Sequence, residues 1–205
     1  MKKISLIGLL LVMLAGCAEK GPIVLDVSYQ PPATKSVVAP KVVVGVAPMK
    51  DDRSNASIIG KRKIADDVQD DFVVAGTTVS GLVTERIKDA LKARGFIVKD
   101  SAWDRTETGI KDEGADILIS GVIKTLSVDS VAMPLFKSNI KAVIQMKIVV
   151  ADKAEKKIIR TLDLNSTVEQ ESFYSREKVG TVISEALSSA LDQIFKDEEL
   201  NKKLK

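Results

Sequence analysis

The sequence predicts an α+β domain: a two-layer sandwich, in which a mainly antiparallel sheet carries two amphipathic helices packed on one face. Three observations lead there. Asn139–Val150 and Ile158–Glu169 alternate apolar and polar residues, and a period of two marks strands with one packed and one wet face. Two other segments, Val79–Leu91 and Val179–Phe195, carry apolar residues at helical spacing. The 205 residues are 45% hydrophobic, enough to bury the core of one ordinary domain.

Taken in order, Lys41–Ala47 is an apolar run closed by Pro48 and reads as a buried first strand. Lys50–Asp71 is polar and acidic with Gly60 inside it, and reads mostly as loop. Phe72–Ala75 is a brief extended piece. Thr77 or Thr78 caps the first helix, whose stripe is Val79, Leu82, Val83, Ile87, Ala90 and Leu91. Gly81 inside it costs about 1 kcal/mol against alanine, which close packing of helix on sheet would explain. Gly95 supplies a left-handed stop, with Phe96 folding back on the last turn and Phe96–Val98 forming a short strand. Beyond a loop holding Trp103, Asp116–Asp129 opens a three-stranded meander that Asn139–Val150 and Ile158–Glu169 complete, with a turn at Asp152–Lys156. Ser175 caps the last helix, and the charged Asp197–Lys205 is expected to fray.

The amino terminus has a different character. Met1-Lys2-Lys3 precedes Ile4–Leu14, an almost purely apolar run, and then Leu14-Ala15-Gly16-Cys17. A basic start, a short apolar stretch and a small-residue junction form a secretory signal. The run is too short for a permanent span, which needs about 20 residues. The tetrapeptide resembles the lipobox of bacterial lipoproteins. That resemblance implies cleavage before Cys17, thioether lipidation of Cys17 and acylation of the new amine. Two or more acyl chains hold a protein where one binds marginally. Ala18, rather than Asp, after the cysteine implies the outer membrane in a cell with two membranes. The expected organisation is a signal peptide over 1–16, a lipidated cysteine and Pro-rich tether over 17–41, and a single α+β periplasmic domain over 42–205. Within the tether, Ile23–Val27 is an apolar run suited to an edge strand.

Composition narrows the chemistry. Histidine is absent, which removes the commonest general base and metal ligand together. A single cysteine permits no intramolecular disulfide and no thiolate cage. Loss of Lys2 and Lys3 with the leader leaves 29 basic residues against 28 acidic ones, so no nucleic-acid partner is expected. Asp51-Asp52-Arg53 directly follows the first strand, where loops often carry function; the plainer reading is a solvated turn with a local ion pair. Asp66, Asp67, Asp70 and Asp71 would pair off on two faces of a helix, as oxygen ligands for calcium, but the spacing is not that of a calcium loop and Lys61, Arg62 and Lys63 lie close by. Gly60-Lys61 fails as a phosphate loop, because Asn55 stands at the first glycine and Arg62 at the Ser/Thr position. No Ser-x-x-Lys stands in a catalytic context. Met133-Pro134-Leu135-Phe136 is an apolar hairpin tip that either touches a membrane or partner or folds over the open end of the core.

Lipobox, Pro-rich tether, Asp51-Asp52-Arg53, the Ile59-Gly60 pair, a helix ending Leu91 to Phe96, meander and terminal helix together resemble the YajG-type family of uncharacterised bacterial lipoproteins. The layout is also similar to the amino-terminal domain of TolB-type envelope proteins. The resemblance implies an envelope location and a non-enzymatic role, with no catalytic residues and no cofactor. The expected protein is an outer-membrane lipoprotein facing the periplasm, held by Cys17, with a binding or scaffolding role toward an envelope protein. Asp51, Asp52, Arg53, Met133, Leu135 and Phe136 are its candidate contact residues. The alternative is a binding module for lipid or cell-wall fragments serving a transport complex, which calls for a pocket between helices and sheet.

Overall fold

The computed structural model describes residues 21–32, 42–65, 68–111 and 114–203. Cys17, the leader, Asp66 and Asp67 lie outside them. One sheet collects nine strands: β1 (Ile23–Leu25), β2 (Val43–Val46), β3 (Lys50–Asp51), β4 (Gly60–Ala65), β5 (Val68–Val74), β6 (Ile97–Asp100), β7 (Ile117–Ala132), β8 (Lys137–Asp152) and β9 (Lys157–Phe173). Among the described residues three helices accompany it: α1 (Val79–Ala93), α2 (Arg176–Asp192) and α3 (Glu198–Lys203), with a 3-10 turn at Gln193–Lys196 between the last two.

The meander follows from its alternation. Ile140, Ala142, Ile144, Met146, Ile148 and Val150 of β8 are all buried in the main core. In β7 the buried parity changes from Ile119 and Ile123 to Leu126 and Val128, because a bulge between Ile123 and Thr125 absorbs one residue. Such an extra residue keeps the apolar side chains facing the core while the strand bends. The opposite face is closed at one end only, where Trp103 packs with Ala47, Ala115, Leu118 and Ala151. Trp103 also donates its indole N–H to the Thr106 carbonyl at 2.8 Å.

Both long helices begin on local signals, and α1 also ends on one. The Thr78 hydroxyl accepts from the Gly81 amide, and Ser175 from the Lys178 amide. Gly95 has φ +88°, and the Phe96 amide returns to the Leu91 carbonyl at 3.2 Å. The explanation for Gly81 is different from the one expected: a Cβ there would meet the Thr77 hydroxyl at 2.6 Å, not the sheet.

The sheet is antiparallel over most of its paired residues, through the long β7–β8–β9 ladders, but it is mixed. Only β4/β5, β7/β8 and β8/β9 pair antiparallel. β1/β5, β2/β6, β2/β7, β3/β7 and β4/β7 are parallel. The stretch Lys50–Asp71, expected mostly as loop, supplies β3, β4 and part of β5. Its charges suit strands because they find partners across the ladder: Lys61 stands opposite Asp71 and Arg62 opposite Asp70. Opposite charges directly across a ladder favour one register. Gly60 marks the entry to β4. Its φ is +145°, and a Cβ there would lie 1.7 Å from the Val128 carbonyl oxygen, so the Ile59-Gly60 pair is a buried anchor followed by the one residue that fits.

Residues 21–32 lie on the domain instead of standing off from it as tether. β1 is an edge strand on β5, and Leu25, Val27 and Tyr29 enter the main core. The backbone amides of Ser28 and Gln30 donate to the Ser184 and Ser188 hydroxyls of α2, at 3.0 and 2.8 Å. Gly180, one turn earlier, leaves room for Asp26, whose carbonyl oxygen would lie 2.8 Å from an added Cβ. The carboxy terminus does not fray in its described part. Leu200 is fully buried, and Arg160 holds Asp197 through two hydrogen bonds of 3.1 and 2.8 Å.

Candidate functional site

Two loops bear the candidate residues, and the structure sets them far apart. Asp51 is opposite Ile123 on β7, eight residues from Val131. That corresponds to about 26 Å along the strand.

At the first, Arg53 is spent internally. Its Nε and one terminal nitrogen grip the two oxygens of Asp51, each at 2.9 Å. The remaining donors reach the carbonyls of Ile58, Leu126 and Ala56 at 3.0, 3.2 and 2.9 Å. A guanidinium has five N–H donors, and all are used. The side chains of Arg53 and Asp51 are 8% and 12% exposed, so this is an ion pair under cover and not the solvated turn. Burial pulls the Asp51 carboxyl upward, but the bonds from Arg53 outweigh it and hold the group below its ordinary value. Asp52 points outward between Lys124 and Lys50, whose hydrogen bonds hold its carboxyl at about 2. The arrangement staples the 53–58 loop to β7 and leaves no donor of Arg53 for a ligand.

The second loop is the opposite. The Met133 amide closes the β7–β8 turn onto the Lys137 carbonyl at 2.8 Å. Leu135 and Phe136, at its tip, have φ of +63° and +61°. Two successive left-handed residues make the turn whose twist suits a hairpin, yet such positions favour glycine or asparagine. Leu135 is 80% and Phe136 91% exposed, so the tip stands in solvent and does not fold over the core. Phe173 of β9, opposite Lys137, is 69% exposed. Val131, Ile64 and Val68 are exposed at the same end of the sheet, because β4 lies beside β7 with Lys63 opposite Val131. Sequence reading found the tip. It missed Phe173, Ile64 and Val68, which join it only through strand register.

The described part of the acidic stretch, Asp70 and Asp71, does not assemble into a cluster. Asp70 and Asp71 are consecutive strand residues facing opposite sides, within 3.8 Å of Arg62 and 3.9 Å of Lys61 respectively. No group of three metal-ligating side chains occurs among the described residues. Glu155 is likewise held at about 2 by Lys157 and Lys203. A shallow groove of ≈ 410 Å³ runs between the amino-terminal segment and the first turns of α2, lined by Asp26, Ser28, Gln30, Arg176, Glu177 and Thr181 among others. Val24 also lines it, so it lies between the edge strand β1 and α2. No helix among the described residues is long and apolar enough to cross a membrane.

A mixed nine-stranded sheet with three helices, the Asp51–Arg53 loop tied to its frame and one apolar end exposed, defines an α/β domain. The chain belongs to the Lipoprotein_16 family of uncharacterised lipoproteins, whose family model matches residues 38–205. Among solved structures, a Xanthomonas campestris protein of the DUF330 family is similar in fold, with a TM-score of 0.56 at 10% identity over 88% of this chain and 96% of that one. Lipoprotein GNA1162 from Neisseria meningitidis gives a TM-score of 0.41 at 12% identity, over 76% and 99%. The C-terminal domain of LpoB from Salmonella enterica gives 0.30 at 10%, over 65% and 86%. No curated protein matches the chain.

Proposed function

We propose that this lipoprotein is exported on residues 1–16 and anchored by lipid at Cys17 to the outer membrane, facing the periplasm. There it acts by contact and not by catalysis, as a scaffold for an envelope protein. The observation that carries the reading is the open outer face of the β7–β8–β9 meander. Strands of 16 and 17 residues extend about 50 Å, and their outward side chains include Lys141, Gln145, Lys147, Asp163, Asn165 and Glu169, a largely polar surface. Lys141 pairs with Glu169 and Lys147 with Asp163, at 3.3 and 3.4 Å, with all four side chains roughly half exposed. Exposed pairs like these contribute little stability, so the face is free to exchange them for a partner's charges. The domain is read as a two-layer sandwich, with the core side of the sheet covered by α1 and α2 as amphipathic helices. Their buried residues share one cluster with β7, β8 and β9, which supports that reading.

The test is purification of the full-length protein from gently solubilised membranes, with and without the double substitution Lys141→Glu, Lys147→Glu. One envelope protein in stoichiometric amount, lost with the substitutions, is the expected result. A lipid or cell-wall fragment travelling with the domain in place of a protein would instead favour the carrier reading and the groove beside α2.

A further inference from the structure

We propose that the apolar end of the sheet is a second membrane contact: Leu135, Phe136 and Phe173 seat in the leaflet that holds the acyl chains of Cys17. This rests on the lipoprotein reading above and adds what the exposed end touches. Among the described residues, six of the eight large apolar side chains left in solvent stand at this end, namely Ile64, Val68, Val131, Leu135, Phe136 and Phe173. The exposure is therefore concentrated and not scattered, which marks a contact surface.

Strand direction places the anchor on the same side. β1 runs parallel to β5, with Ile23 opposite Phe72, and β5 starts at Val68. Ile23 thus stands about 13 Å from the Val68 end, and the chain before it heads toward that end. Six residue steps separate Cys17 from Ile23, a reach of at most about 21 Å. From Ile23 onward the segment is held by β5, by the core and by the Ser184 and Ser188 hydroxyls. The slack is therefore short. A lipid on Cys17 brings the bilayer to the end of the sheet where the apolar tips protrude.

The chemistry suits a bilayer. The side chains project from a turn and a strand end, so they enter a soft apolar phase without needing a complementary pocket. The Met133 amide is satisfied by the Lys137 carbonyl at the base of the turn. Lys63 and Lys137 are exposed beside the apolar group. Lysine stems lie along apolar surface while their ammonium groups meet phosphates, and apolar contacts flanked by cations are the composition of interfacial anchors.

The chain contains one tryptophan, Trp103, buried at the closed end of the outer face, about 40 Å along the sheet from the tip. This makes a fluorescence test clean. Full-length lipidated protein, wild type and F136W, is reconstituted in vesicles of phosphatidylethanolamine and phosphatidylglycerol, with or without acyl-brominated phosphatidylcholine. The expected result is a blue-shifted F136W signal that brominated acyl chains quench, with wild-type emission unchanged. Mass spectrometry of the amino-terminal peptide reads the anchor separately. Acylated Cys17 with an unquenched F136W overturns the contact and keeps the anchor. Quenching without acyl mass on Cys17 overturns the anchor and keeps the contact. An F136W signal shielded only when a copurified protein or a second copy is bound overturns the bilayer as occupant.

Discussion

The Asp51–Arg53 loop lies beside the middle of β7 and the Met133–Phe136 turn at its end, and the two have opposite characters. In the first, Arg53 satisfies Asp51 and the backbone around it, and no donor of Arg53 is left for a visitor. In the second, two large apolar side chains stand in water on left-handed backbone, a conformation costing about 1–2 kcal/mol per residue. Charge in a sequence suggests function, yet here it builds the frame. The strained and exposed apolar turn is the feature that folding alone does not account for, and such features cluster at binding sites.

The comparison breaks most easily at Arg53. Arg53→Ala removes all five hydrogen bonds and leaves the Asp51 carboxylate under cover without its partner. Loss of one member of a covered ion pair costs about 3–5 kcal/mol, readable as a lower denaturant midpoint. A variant as stable as wild type would make this loop a surface feature after all.

The turn should respond in the other direction. Leu135→Asn with Phe136→Gly places residues that tolerate positive φ at both positions, and a gain of about 1–2 kcal/mol is expected. The same variant should lose its contact with vesicles. Lower stability would mean that the tip side chains pack on the domain.

The smallest effect is the pH dependence of the staple. The Asp51 carboxyl is lowered from its ordinary value of 3.8, so between the two values the folded state binds fewer protons than the unfolded one. Its contribution is therefore fully present above the unfolded value and is lost as pH falls through the folded one. Asp51→Asn should lower stability at neutral pH and flatten the acid limb of the stability curve. An acid limb as steep as wild type would assign that dependence to other carboxylates.

Legibility in the sequence varied with the range of the interactions. The alternation of β8 and the stripe Val179–Leu191 of α2 were visible because each residue's environment repeats with the local backbone period. Caps at Thr78 and Ser175 and the stop at Gly95 were visible because their hydrogen bonds close within a few residues. The β4–β5 hairpin was not, since Lys61, Arg62, Asp70 and Asp71 look like loop until each is set opposite its partner. The amino-terminal segment was half legible: Ile23–Val27 reads as a strand, but its seat depends on Gly180, Ser184 and Ser188. A lane of small residues at intervals of four carries that signal, and nothing in a helical stripe calls attention to it.

By itself the sequence determined the meander, the two long helices with their caps, and the absence of histidine and of paired cysteines, since these depend on composition or on local period. Tertiary structure decided which strands run parallel, that Arg53 is consumed by its surroundings, and that Phe173, Val131, Leu135 and Phe136 share one end of the sheet with the strand leading from Cys17. Those outcomes follow from register and direction between segments distant in the chain. Such pairings are selected by the burial of the whole core, and no window of local sequence contains them.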